Sequence, residues 1–136
     1  MMNDVKKQLK RAFKKTRRPM GVFVIRNFVN DRVFMGAGRD LAGIMNRHRF
    51  TLKAGTHPNK ELQNDWHELG SKSFAFEIVE ERTLPDDPGI NEKAELEFME
   101  SYWLTKVQPF GERGYNEKRL TRQELLQLIS TRSREA

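Results

Sequence analysis

Two short β-forming runs separated by a three-residue turn constrain this chain more than any other feature. Met20-Gly-Val-Phe-Val-Ile-Arg-Asn-Phe28 is rich in β-branched and aromatic residues. Val29-Asn-Asp31 interrupts it, and Arg32-Val-Phe-Met-Gly36 resumes the pattern. Such a pair predicts a β-hairpin. A hairpin alone is marginal in water, so the rest of the chain must supply further strands and helices to cover it.

The remaining pattern supplies both. Asp40 is placed to cap a helix whose Leu41, Ile44, Met45, His48 and Leu52 share one face, and Gly55 closes it. A second helix opens over Thr56 to Asn59, with Leu62, Trp66 and Leu69 expected inward and Gly70 as its stop. Ser73-Phe-Ala-Phe-Glu-Ile-Val79 alternates with period two and reads as a third strand. Leu84-Pro-Asp-Asp-Pro-Gly89 is a loop. A helix follows from about Asn91 to Lys106, and Trp66, Tyr102 and Trp103 are expected in the core. Thr121-x-x-Glu124 is a capping-box pattern ahead of Leu125, Leu128 and Ile129. The expected class is α+β: a small three-stranded antiparallel sheet flanked by helices, with an added N-terminal basic helix and a C-terminal helix. Three units are expected: a helical arm over 1–19, a main domain over 20–116 and a helical extension over 117–136.

Composition narrows the function. The 136 residues include no cysteine, which excludes disulfides and cysteine-ligated zinc and suits a cytoplasmic location. No apolar run nears the roughly 20 residues of a spanning helix, and no signal-peptide core opens the chain, so no membrane partner is expected. The net charge of +6 is unevenly placed. Residues 1–18 carry +7, with Val5, Leu9, Ala12, Phe13 and Thr16 on one helical face; residues 26–60 carry +5 and residues 61–100 carry −9. A basic amphipathic arm suits nucleic-acid phosphates, or a solvated helix docked by its apolar face. The expected phosphate-facing residues are Lys6, Lys10, Lys14, Arg17 and Arg18 of the arm, with Arg39, Arg49, Lys53 and Lys60 of the basic half. His57 and His67 show no metal-ligand spacing with each other or with His48 and are not assigned a role.

Gly21-Val22-Phe23 and Phe34-Met35-Gly36 in the hairpin are followed in order by several further motifs. These are Asn46-Arg47-His48 on a helix, Gly55-Thr-His-Pro-Asn59, Glu100 just before Tyr102-Trp103, and Gly114-Tyr115-Asn116. Together they resemble the GIY-YIG nuclease family over residues 20–116. The resemblance implies a Mg²⁺- or Mn²⁺-dependent endonuclease acting on DNA, without a small-molecule cofactor. Glu100 matches the metal glutamate, His48 the helix histidine and Asn116 the asparagine of the closing motif. The two tyrosines are replaced by Phe23 and Phe34, and the arginine position holds Ile44. Arg39, Arg47 and Arg49 stand nearby as replacements, Arg47 being three residues beyond Ile44 on nearly the same helix face.

The substitutions have a chemical cost. Phenylalanine cannot take or relay a proton, and positioned acid–base help contributes about 10²–10⁴-fold. A donor aimed at developing phosphate charge contributes about 10²–10³-fold. The expectation is therefore a DNA-binding protein of nuclease-like fold with weak or no hydrolysis. Its alternative is an inactive family member serving as a DNA-binding, regulatory or protein-interaction module.

Overall fold

A computed structural model describes residues 18–118, together with Gln123, Leu126, Gln127, Ile129 and Ser130, which are helical. The arm up to residue 17 and most of the C-terminal capping box lie outside the described residues. The elements are β1 (Met20–Asn27), β2 (Val33–Gly38), α1 (Leu41–Ala54), α2 (Lys60–Leu69), β3 (Phe74–Arg82) and α3 (Glu92–Val107). The strands form one antiparallel sheet in the order β2-β1-β3, with β1 central.

The strongest sequence signals set the element ends. The Asp40 side chain accepts from the Gly43 amide, so α1 is capped as its sequence requires. Arg18 donates to the same carboxylate at 2.7 Å, and this bond, with the Gly43 amide, holds the Asp40 pKa below the ordinary range. Gly55 ends α1 in the left-handed region at φ 78°, which a side chain rarely adopts. Asn59 and Asn91 cap α2 and α3 in the same way as Asp40 caps α1.

Strand alternation divides the core into two faces. Phe23 and Ile25 of β1 and Phe74 of β3 pack beneath α1 and α2, against Leu41, Met45, Leu52 and Leu62. Val22 and Val24 of β1, with Val33 and Met35 of β2, pack beneath α3 against Met99. Phe34 and Met35, consecutive on β2, therefore belong to opposite faces. Pairing with β3 slips between Val22 and Phe23: Val22 faces Glu80 and Phe23 faces Ile78, leaving Val79 as the extra residue of a bulge. Glu80 then accepts the Trp103 indole N–H at 2.8 Å on the α3 side.

The outer edge of β2 is covered by the chain that follows α3. Gly114 pairs with Val33 in parallel, and the Tyr115 amide donates to the Val33 carbonyl at 3.0 Å. Below it, the Tyr115 hydroxyl donates to Asp65 at 2.5 Å and accepts from Asn27 at 2.9 Å. Burial, and then the Asp65 contact, raise the Tyr115 pKa. Arg32 lies 4.2 Å over the Tyr115 ring and donates to the Gly114 carbonyl at 2.9 Å.

Two residues expected inward are not. Leu69 is 37% exposed because it is the last residue of α2, carried past the sheet by the turn at Gly70. Tyr102 is 48% exposed. α3 carries apolar residues almost all round, so periodicity alone could not decide which of them faces the sheet. Trp103 packs inward instead, and Tyr102 meets it edge-on at 5.2 Å.

Candidate functional site

The hairpin and α1 bring Phe23, Phe34 and His48 together, with both phenyl rings 5.3 Å from the imidazole. Phe23 is fully buried beneath Gly36, where an added Cβ would meet its ring at 2.6 Å. It also stacks on Phe76 at 6.3 Å. Phe34 is half-buried and carries the rings outward toward the sheet edge. Ile44, at the position where the resemblance expects an arginine, packs onto Gly38, its side chain 3.0 Å from where a Cβ would stand there. The floor of the site is therefore apolar.

His57 joins this cluster, and the sequence reading assigned it nothing. The turn at Gly55 reverses the chain so that His57 returns against α1, buried and with its Nε2 2.7 Å from His48 Nδ1. The Phe34 ring meets it edge-on at 5.5 Å. Its position is fixed from three sides. Its own amide donates to Gln63 at 2.9 Å, Gln63 donates to the Leu52 carbonyl at 3.0 Å, and the Asn59 amide donates to His57 Nδ1 at 3.0 Å.

That last contact sets the proton positions. A backbone N–H can only donate, so His57 Nδ1 accepts and its ring proton sits on Nε2. Nε2–H then donates to His48 Nδ1, which leaves the proton of neutral His48 on its own Nε2. Burial, followed by the fields of His57 and Arg47, pushes the His48 pKa down to about 4. Burial lowers that of His57 as well. At neutral pH, His48 therefore offers an N–H donor at Nε2, with no acceptor for it among the described residues, rather than a lone pair for taking a proton from water.

Glu100 lies elsewhere. It lines a cleft of about 470 Å³ on the α3 side of the sheet, with Met35, Gln108, Asn116 and Glu117. The histidine pair packs on the opposite face. Glu100 has no hydrogen-bond or ion-pair partner among the described residues. Magnesium usually takes one or two carboxylates, several waters and substrate phosphates, and Glu100 with Glu117 in the same cleft fits that habit. No group of three His, Asp or Glu side chains suited to a metal occurs among the described residues. Asn116 uses both of its amide atoms on the β2 backbone: Oδ1 accepts from the Met35 amide and Nδ2 donates to the Met35 carbonyl, each at 2.8 Å.

The basic residues divide by their partners. Arg26 pairs with Glu77, Arg32 with Glu61 and Asp65, and Arg82 with Glu80 and Glu95. Around α1 the pattern changes. Arg39, Arg47, Lys53 and Lys60 are exposed and have no carboxylate partner among the described residues. Arg49 contacts only Asn46, at 3.3 Å, and lies 4.4 Å over the Phe76 ring. Arg18 is neutralised by Asp40, while Lys6, Lys10, Lys14 and Arg17 lie outside the described residues.

A three-stranded antiparallel sheet flanked by helices in this order defines a GIY-YIG nuclease-like α+β fold. The chain is structurally similar to the catalytic domain of homing endonuclease I-TevI, with TM-score 0.58 and 25% identity, covering 74% of this chain and 99% of that domain. A glutamate-to-alanine mutant of the catalytic domain of intron endonuclease I-TevI gives the same TM-score and identity, over 76% of this chain and 97% of that one. No family model matches the sequence, and no curated protein does. No helix among the described residues is long and apolar enough to cross a membrane.

Proposed function

We propose that this protein binds DNA through the α1 face of a GIY-YIG nuclease-like scaffold and does not hydrolyse it efficiently. The observation that carries the reading is the set of cations around α1 that lack carboxylate partners among the described residues, whereas Arg26, Arg32 and Arg82 of the sheet are each paired. Unpaired lysine and arginine on one face suit a phosphate backbone, and each phosphate contact releases counterions. The structural likeness to an endonuclease catalytic domain agrees in kind with such a ligand.

The argument against cleavage comes from proton chemistry. Phe23 and Phe34 have no hydroxyl, Ile44 has no charge, and His48 presents a donor where a base needs a lone pair. His48 Nε2–H can still donate to a phosphate oxygen, which positions a strand without activating water. A divalent ion held at Glu100 would supply Lewis-acid charge to a phosphate on the α3 side.

The test uses supercoiled plasmid with Mg²⁺, Mn²⁺ or chelator, and the intact chain beside Glu100→Ala. A gel shift that persists in chelator, without nicking, is expected. Metal-dependent nicking abolished by Glu100→Ala would overturn the non-cleaving reading. Absence of any DNA affinity at low salt would overturn the DNA-binding reading itself.

A further inference from the structure

Two phenylalanines, Phe50 on α1 and Phe98 on α3, are equally exposed, each at 72%. A phenyl ring this exposed on a helix contributes little to folding, so its neighbourhood indicates what it is suited to meet. The two neighbourhoods have opposite charge. One helical turn from Phe50 stand Asn46, Arg47 and Lys53, all exposed and none with a carboxylate partner among the described residues. Phe98 stands beside Glu95 and Glu97 and borders a cavity lined by Glu80, Arg82, Tyr102 and Trp103.

We infer that Phe50 is a base-stacking residue, and that the ligand of the α1 face is DNA carrying unpaired bases. The inference rests on the DNA-binding reading above and adds the substrate class to it. A duplex offers the α1 face phosphates, while its base faces are already stacked on one another. Arg47 and Lys53 can hold a strand by its phosphates on either side of the ring, and a phenyl group between them gains from an unstacked base. Stacking is tolerant of sequence because every base has a π-face, so the preference is for strand state rather than base identity. The donor at His48 Nε2 lies on the same helix, two residues before Phe50, and belongs to its inner side.

The experiment measures anisotropy of a fluorescein-labelled single-stranded oligonucleotide, the same strand in a duplex and a gapped duplex, across a salt series. The intact chain is compared with Phe50→Ala, Phe50→Tyr and Phe98→Ala. The intact chain is expected to favour the single-stranded and gapped probes. Phe50→Ala is expected to weaken those two by about five-fold or more, to leave duplex affinity within about two-fold, and to leave the salt slope unchanged, because no phosphate contact is lost. Phe50→Tyr should retain the preference, and Phe98→Ala should behave as the intact chain. If the intact chain binds but Phe50→Ala matches it on every probe, or if Phe98→Ala loses as much, the stacking role is overturned while DNA binding stands. If the intact chain binds no probe, the reading beneath it fails instead.

Discussion

The imidazole of His57 donates to that of His48 across 2.7 Å, and the direction of that bond is dictated by a backbone amide, Asn59 N–H, on its far side. Protonating His48 at Nδ1 would set two N–H groups against each other. The pair is therefore built to stay neutral.

This neutrality has a consequence for stability. The folded pKa of His48, about 4, lies below its ordinary value of 6.5. Between those values the unfolded chain binds the proton and the folded one does not, so stability is full above about pH 6.5 and falls as pH drops toward 4. Because the ring is only half-buried, the effect is about 1–2 kcal/mol, less than the full shift would give. Thermal melts from pH 7 to pH 4.5 should show a steeper loss for the intact chain than for His48→Gln. Equal slopes in the two proteins would contradict the buried neutral pair.

Asn116 should behave as a structural fastening. Asn116→Ala removes two hydrogen bonds to the Met35 backbone and should cost about 1–3 kcal/mol in urea unfolding. DNA affinity of the folded variant should remain within about two-fold of the intact chain. A large loss of affinity at unchanged stability would place Asn116 in the ligand site instead.

Tyr115→Phe probes the cluster at the hairpin end. The change keeps the ring under Arg32 but strands the fully buried Asn27 side-chain N–H and removes one donor from Asp65, which keeps Arg32 and Asn30. A loss of about 1–3 kcal/mol is expected in the denaturation midpoint. Tyr115→Phe in an Asp65→Asn background should cost less, since the two residues share one bond.

Gly36→Ala tests the close approach at the second tripeptide. Its methyl would stand 2.6 Å from the Phe23 ring, which is fully buried and cannot retreat. The expected loss is about 1–3 kcal/mol, visible as a lower melting temperature. Gly55→Ala, at φ 78°, should also destabilise, through backbone strain without a clash.

Much of this fold was legible because local signals agreed with the global one. The β-branched hairpin, the cap at Asp40 and the stops at Gly55 and Gly70 each act within a few residues, where sequence pattern is informative. His57 was invisible for the opposite reason. Nine residues from His48 is no helical period, and only the left-handed turn at Gly55 brings the two rings together. A histidine two residues past a helix-ending glycine, followed by a helix-capping asparagine, was the available signal. The placement of Glu100 depends on which face α3 covers, and a helix with apolar residues on every side does not announce that. Phe50 escaped notice because its exposure follows from the phase of α1 against the sheet, not from its own neighbours in sequence.

The fastening of β2 also fixes an order of events during synthesis. Asn116 and Met35 are joined across 81 residues, and Tyr115 likewise reaches back to Val33. Until residue 116 has left the ribosome, the hairpin can form while β2 still shows an open row of backbone donors and acceptors. Strands of other nascent chains can pair with such a row. A chain cut short before Gly114 thus keeps the β2 edge open, and longer chains leave that state only when the last stitch closes.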